Sequence, residues 1–326
     1  MLNGRKRLIT VLSALALAAA VGFVPGSAQA DPEIDDVQKR VDRLYHEAEQ
    51  ASERYNDAKL ELTELRKDLD SLKADESRQD DRLEGVREQV QDSILRQYQG
   101  EHLTAMGEVV VSDDPSAFLS QLSTMSAYND LQSQLFADYS REAKALDIRE
   151  GATQKRLDSV AEIEDQLAKE KATIDEKLAE AETLLDRLKD EEREAMLSRG
   201  SDVRMPSVPV SGRAAAAVNY AMGQVGDAYV YGAAGPDAYD CSGLTMASWA
   251  QAGVALPHSS SAQYGSGPHI STGALQPGDL VFYYNPISHV GMYIGNGMIV
   301  HAANPSTGVQ VAGLYSMPYT GAVRPG

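Results

Sequence analysis

Apolar residues recur at alternating spacings of three and four from Asp31 toward Arg199, and this pattern limits the possible folds more than any other feature. The first series is interrupted at Glu76 and Gln79, which keep the register but are polar. A seam of this period predicts a left-handed coiled coil. Its apolar members are Ile34, Val37, Val41, Leu44, Ala48, Ala51, Tyr55, Ala58, Leu62, Leu65, Leu69, Leu72, Leu83, Val86 and Val90.

A second apolar series predicts a second long helix in the same segment. The simplest arrangement folds the two helices together as an antiparallel hairpin, a rod roughly 100 Å long at the helical rise per residue. A parallel dimer with a second chain would also bury both seams, and the pattern leaves that alternative open. The second series comprises Leu146, Leu157, Val160, Leu167, Ile174, Leu178, Ala181, Leu185, Leu188 and Ala195.

The turn between the two arms, at about residues 100–128, is richer in apolar residues than a connection requires. Asp113, Asp114 and Pro115 are typical of a helix start and predict a short helix from Pro115 to about Tyr128. This tip is expected to form a local core that caps the rod, a docking site for a partner, or both. The polar positions Glu76 and Gln79, with Gly85 nearby, predict a point at which the first helix can bend.

Composition divides the rest of the chain. Residues 1–30 combine a basic start, an apolar run and an Ala28-Gln29-Ala30 motif, which predicts a cleaved secretion signal. Residues 31–199 form the predicted coiled coil. Residues 200–212 contain Gly and Pro that cannot continue a helix and predict a flexible linker. Residues 213–326 have a mixed composition and enough length for a separate folded domain.

The formal net charge of −18 is concentrated in the predicted rod. The last domain contributes little, because its only basic residues are Arg213 and Arg324, against four aspartates. An acidic rod argues against nucleic-acid binding and against contact with anionic lipid.

The only cysteine, Cys241, lies in Asp240-Cys241-Ser242-Gly243-Leu244. Asp240 is a suitable N-cap for a helix over residues 242–252, so Cys241 is expected in the first turn. The helix dipole there favours an anion, and the thiol is expected to ionise easily. These features predict a cysteine nucleophile.

Two histidines on strand-like segments supply the groups that such a nucleophile lacks. His289 opens a predicted strand at residues 290–294, and His301 ends another at residues 298–302. The Gly295-Asn296-Gly297 turn predicts that the two strands form a hairpin, which brings the histidines side by side. Cys241, His289 and His301 could instead ligate zinc, or be structural residues, and these alternatives remain open.

Six ordered blocks resemble the NlpC/p60 cysteine peptidases of bacterial cell walls. They cover about 115 residues, the C-terminal third of the chain. The resemblance implies an α+β papain-like catalytic domain that needs no metal or organic cofactor. The blocks are Tyr229-Val230-Tyr231-Gly232, Asp240-Cys241-Ser242-Gly243-Leu244, Leu256-Pro257-His258-Ser259-Ser260, Pro277-Gly278-Asp279-Leu280-Val281-Phe282, His289-Val290-Gly291-Met292-Tyr293-Ile294-Gly295 and His301-Ala302.

The residues and the resemblance together assign provisional roles. Cys241 is the nucleophile, His289 the base, and His301 the group that orients His289. The resemblance implies that the substrate meets Tyr229, Asp240, Ser242, His258, Ser259 and Ser260. His258 is a rival for the base, but it lies in a predicted loop, and contact with substrate is the favoured interpretation.

The expected function is a secreted, wall-associated peptidoglycan endopeptidase. The resemblance implies stem-peptide cleavage between D-glutamate and diaminopimelate, during wall remodelling or daughter-cell separation. An amidase or acyltransferase using the same residues, and a non-enzymatic wall scaffold, are the alternatives. The coiled coil resembles wall hydrolases activated by the FtsE–FtsX complex, which implies an FtsX-like membrane partner at the tip. The rod is expected to cover the Cys241 groove at rest.

Overall fold

The computed structural model describes residues 34–99, 115–187 and 212–326. The predicted signal, most of the tip loop and nearly all of the predicted linker lie outside these residues. Within the described ranges, none of the helices has both the length and the apolar character that a membrane span requires.

Two long helices form the rod, α1 over Ile34–Tyr98 and α2 over Pro115–Leu185. They run antiparallel, because ion pairs between them join early residues of α1 to late residues of α2. The prediction of an antiparallel coiled coil is therefore confirmed. The ion pairs are Arg40–Glu180, Arg54–Glu170, Arg66–Glu164 and Asp68–Arg156.

The rod departs from two expectations. The predicted short helix from Pro115 to Tyr128 is wrong, since α2 continues to Leu185 without a break. No proline follows Pro115 in that stretch to stop the helix. The helix α1 also runs without interruption past the predicted bend. Gln79 is only 1% exposed, and its amide donates to the Glu142 carboxylate at 2.7 Å, so the polar position pairs across the seam.

The last domain combines helices with an antiparallel sheet. Helices α3 (Arg213–Gly223), α4 (Cys241–Gln251) and α5 (Ser260–Gln263) accompany two short parallel strands, β1 (Ala228–Tyr229) and β2 (Ala238–Tyr239). The sheet has the order β6-β5-β4-β3-β7. Its strands are β3 (Leu280–Tyr283), β4 (His289–Gly295), β5 (Met298–Asn304), β6 (Gly308–Gly313) and β7 (Tyr319–Val323).

The core of this domain lies between α4 and one face of the sheet. Leu244 and Trp249 of α4 pack in the same buried cluster as Phe282 and Val290 of the sheet. Asp240 caps α4 by accepting the Gly243 amide at 2.6 Å, as predicted. Capping and packing together hold the first turn of α4 beside β4.

The first part of α1 lies across the domain as well as along α2. Tyr45 belongs to the apolar cluster of the rod, and its hydroxyl accepts a hydrogen bond from Ser306 at 3.1 Å. The Tyr45 carbonyl accepts the Tyr231 hydroxyl at 2.9 Å. From here α1 continues over the groove in which Cys241 lies.

Candidate active site

Cys241 is the first residue of α4 and is 1% exposed. The cap at Asp240 sets where the helix begins, so the thiol lies in its first turn. The sequence predicted this position. It did not predict the surroundings, because much of the groove around the thiol is closed by α1.

His289 and His301 meet on the strands β4 and β5, as the hairpin predicted. His289 Nε2 and His301 Nδ1 are 2.8 Å apart, and the two rings are nearly perpendicular. Burial, followed by the charge of His289, holds the pKa of His301 well below its usual range. A neutral His301 can therefore orient the His289 ring through one nitrogen.

The other nitrogen of His289, Nδ1, contacts a residue of the rod. Glu49 Oε1 lies 2.6 Å from His289 Nδ1, and both residues are buried. Burial would raise the pKa of the Glu49 carboxyl, but the charge and hydrogen bond of His289 outweigh it and lower that pKa. An ionised carboxylate only accepts hydrogen bonds, so Nδ1 carries a proton and is not available as a base.

Glu53, one turn further along α1, lies against the nucleophile. Its Oε1 is 3.6 Å from Cys241 Sγ and accepts the Ser242 hydroxyl at 2.8 Å. Its second oxygen accepts the backbone amide of Ser260. Burial and the charge of Asp240 raise the pKa of the Glu53 carboxyl to about 7.

Two more rod residues continue the contact along the groove. Asn56 donates to the Asp240 carboxylate at 3.3 Å. Asp57 accepts the hydroxyls of Ser259 and Ser261. The face of α1 from Glu49 to Asp57 thus touches much of the predicted substrate groove, and it is called the groove face below.

The thiol is not activated in this arrangement. Burial, followed by the charges of Glu53, Glu49 and Asp240, raises the pKa of the Cys241 thiol well above its usual range. The expectation of easy ionisation is wrong for this closed form. Desolvation and three carboxylates outweigh the helix dipole, and two of the carboxylates come from the rod.

Comparison with known proteins gives the domain its family. The profile of the NlpC/P60 family matches residues 226–323.

Residues 226–323 form an NlpC/P60 domain.

A probable endopeptidase of Corynebacterium glutamicum is 40% identical over 118 residues, which are 36% of this chain and 56% of that protein. A probable endopeptidase of Mycobacterium tuberculosis is 42% identical over 113 residues, 33% of this chain and 29% of that protein. The chain thus spans about half or less of these relatives.

A solved structure, the NlpC/p60 domain of the peptidoglycan hydrolase SagA, is 32% identical and has a TM-score of 0.32. It matches 34% of this chain, and the match covers 97% of the solved domain. The long helices of the rod lie before the part of the chain that the family profile covers.

Two further predicted site residues of the NlpC/P60 domain are Tyr229 and His258. Tyr229 is buried, and burial, then the charges of Glu49 and Cys241, raise its pKa well above the usual range. His258 Nε2 lies 2.8 Å from the Asp240 carboxylate. Burial alone would lower the pKa of His258, but the hydrogen bond and charge of Asp240 raise it. His258 is therefore tied to Asp240, while His289 faces the thiol.

The structure does not bring together the three residues that the sequence offered as alternative zinc ligands. His301 lies behind His289 and bonds to its Nε2, so Cys241, His289 and His301 do not converge on one point. The three groups that do converge are Cys241, His289 and Glu49.

The sequence did not predict Glu49, Glu53, Asn56 and Asp57 as site residues. Their spacings of four, three and one place them on one face of α1, beside the apolar seam. Glu49, Glu53 and Asn56 are buried polar residues, which is unusual on a coiled coil. The polar stripe was visible in the sequence, but nothing there indicated what it would contact.

Proposed function

We propose that this protein is a secreted peptidoglycan endopeptidase whose coiled coil inhibits it at rest. The NlpC/P60 domain and its relatives named as probable endopeptidases support a cysteine hydrolase acting on cell-wall peptides. The single observation that carries the inhibition is the contact between Glu49 Oε1 and His289 Nδ1, which are 2.6 Å apart. That contact occupies the base, while Glu53 occupies the space beside the nucleophile.

When the NlpC/P60 domain is released from the rod, His289 takes the proton of the Cys241 thiol. The sulfur of Cys241 then attacks the scissile carbonyl carbon. The backbone amide of Cys241, in the first turn of α4, would stabilise the oxyanion that forms. His289 then protonates the leaving amine, which leaves an acyl group on sulfur. Water, deprotonated by His289, releases that group as a carboxylic acid and restores the thiol.

The proposed substrate is a stem peptide, cleaved after D-glutamate and before diaminopimelate. Asp240 suits this role because its carboxylate lies at the groove, where a free amine of the peptide could replace Asn56. The hydroxyls of Ser242 and Ser259, which now bind carboxylates of the rod, would then face the substrate. Residues 1–30 would direct the protein out of the cell, where this substrate lies.

The far end of the rod is the proposed site of activation. Large apolar side chains there face solvent, and Leu119 and Leu122 of α2 are 64% and 50% exposed. Tyr98, at the end of α1, is 90% exposed. These residues would bind an FtsX-like membrane protein, and binding would open the groove only if the partner prefers the open form.

The test compares residues 213–326 with residues 31–326. Both are incubated with purified muropeptides, and products are identified by mass spectrometry. The shorter protein is expected to cleave faster and to yield fragments ending in D-glutamate. Equal rates would overturn the inhibition, and the absence of products from both proteins would overturn the endopeptidase assignment.

A further inference from the structure

The closed groove brings three buried carboxyl groups together around the nucleophile. Glu49, Glu53 and Asp240 are all 6% exposed or less and lie close to the Cys241 thiol. In the described part of the chain, their ion pairs are with histidines, and neither Lys nor Arg pairs with them. Buried carboxylates are costly unless paired, protonated or bound to a metal ion.

Three groups in this cluster are arranged as metal ligands. One ligand atom each from Glu49, Cys241 and His289 lies within 4.8 Å of the other two. All three residues are buried. Thiolate, imidazole and carboxylate are the ligands that zinc takes, whereas calcium and magnesium prefer oxygen alone.

The surroundings also hold the histidine as a metal ligand requires. His289 Nε2 is engaged by His301 Nδ1 at 2.8 Å, which fixes the ring and directs Nδ1 toward Glu49. A ligating histidine usually has such a partner on its other nitrogen. Glu49 Oε1 already lies beside Nδ1, so an ion could take the place of the proton between them.

We propose that the closed form binds one zinc ion through Cys241 Sγ, His289 Nδ1 and a Glu49 carboxylate oxygen. The thiolate and the carboxylate neutralise the two charges of the ion, and a water molecule completes four ligands. The proton on Nδ1 and the thiol proton leave to solvent, while Nε2 of His289 keeps a proton that His301 Nδ1 accepts, so the ligating imidazole is neutral. The ion has no part in hydrolysis, because it occupies both the nucleophile and the base.

This site would join the rod to the NlpC/P60 domain. Two ligands belong to the domain and the third belongs to α1, so the complete set exists only when the groove is closed. An ion that binds the closed form more tightly stabilises that form by mass action. Zinc would therefore reinforce the inhibition proposed above, on which this inference rests.

Cobalt(II) tests the site, because it replaces zinc and shows a thiolate-to-metal absorption band when sulfur is a ligand. The full chain, kept reduced, is titrated with Co²⁺ and then with Zn²⁺. One equivalent of Co²⁺ is expected to produce the band, and Zn²⁺ should abolish it. Glu49→Gln keeps the size of the side chain but removes its charge, and should weaken binding at least about tenfold.

The matched control is Glu64→Gln, which makes the same change on the exposed side of α1. It should bind Co²⁺ as the unchanged chain does. Absence of the band in the unchanged chain, or equal affinity in Glu49→Gln and the unchanged chain, would overturn the proposal. Because the spectrum does not require turnover, loss of this site would leave hydrolysis by residues 213–326 to be judged separately.

Discussion

At the scale of single residues, the groove face of α1 acts on the same groups that catalysis needs. Glu49 holds the Nδ1 proton of His289, and Glu53 lies 3.6 Å from Cys241 Sγ. The carboxylates also raise the pKa of the thiol, so the closed form lacks both a free base and a thiolate. On the proposed mechanism, a small number of side chains separates the inhibited from the active arrangement.

Replacing the catalytic groups should separate their roles. In residues 213–326, Cys241→Ala and His289→Ala are expected to abolish muropeptide cleavage, because neither the nucleophile nor the base works alone. His301→Ala should cause a smaller loss, since His301 only orients His289. Circular dichroism would establish that each variant is folded, and near-normal turnover by Cys241→Ala would contradict the assignment.

Removing Glu53 should make the thiol more reactive in the intact chain. Glu53→Ala loses the hydrogen bonds to Ser242 and Ser260, and hydrogen bonds to a charged group contribute about 1.5–3 kcal/mol each. Alkylation of Cys241 by iodoacetamide is expected to accelerate by at least about tenfold, since 1.4 kcal/mol changes an equilibrium tenfold.

The control for this measurement is Glu64→Ala, an exposed position on the same helix. Its alkylation rate should match that of the unchanged chain. If Glu53→Ala also reacts at that rate, the contact with the groove does not limit access to the thiol.

At the scale of elements, the β4–β5 hairpin sets the distance between the two histidines. Gly291 of β4 lies beside β5, where an added Cβ would be 3.0 Å from Ile299 Cδ1 and 3.3 Å from His301 Cβ. A side chain there requires Ile299 Cδ1 and His301 Cβ to shift by a few tenths of an ångström. The glycine therefore permits the close pairing that brings His301 to His289.

Gly291→Ala is expected to impair catalysis without unfolding the domain. A displacement of His301 by a fraction of an ångström should loosen the orientation of His289 and reduce kcat about 10- to 100-fold. KM should change little, because Gly291 does not line the groove.

Gly313→Ala in β6 is the matched control, since an added Cβ there meets nothing within 4 Å. Its kcat should equal that of the unchanged domain. Equal loss in both variants would attribute the effect to general strain in the sheet.

The rod shows how one helix serves two surfaces. The apolar seam of α1 packs against α2, and the groove face beside that seam packs against the NlpC/P60 domain. Because α1 is continuous past Gln79, the helix joins the groove to the far end of the rod as one rigid element. A bend at Gln79 is not needed to transmit a displacement from one end to the other.

At the scale of the whole molecule, the groove and the exposed apolar residues lie at opposite ends of the rod. Binding at the far end can influence Cys241 only if it shifts the equilibrium between closed and open forms. Leu122→Glu should therefore reduce stimulation of muropeptide cleavage by the extracellular loops of an FtsX-like protein. The unstimulated rate should stay the same, because Leu122 is distant from the groove.

Ile148→Glu provides a control, because Ile148 is 62% exposed on the same helix but lies nearer the middle of the rod. Stimulation of this variant should match that of the unchanged chain. Full stimulation of Leu122→Glu would place the activating contact elsewhere.

Local and periodic signals in the amino-acid sequence were enough to predict several parts of this protein. The spacing of apolar residues predicted two long helices, because a seam of this period can be buried only against another helix. The motif around Cys241 predicted the helix start, and the Gly295-Asn296-Gly297 turn predicted the hairpin that joins His289 to His301. The length of α2 was missed, since the predicted end at Tyr128 had no residue to stop the helix.

The residues that complete the groove and the protonation of the thiol depend on contacts between distant parts of the chain. Cys241 and Glu53 are 188 positions apart in sequence, and no local pattern relates them. The pKa of a buried group sums desolvation and all nearby charges, whereas the sequence revealed only the helix dipole. The contact between α1 and the NlpC/P60 domain therefore had to be seen before the carboxylates beside Cys241 and His289 could be named.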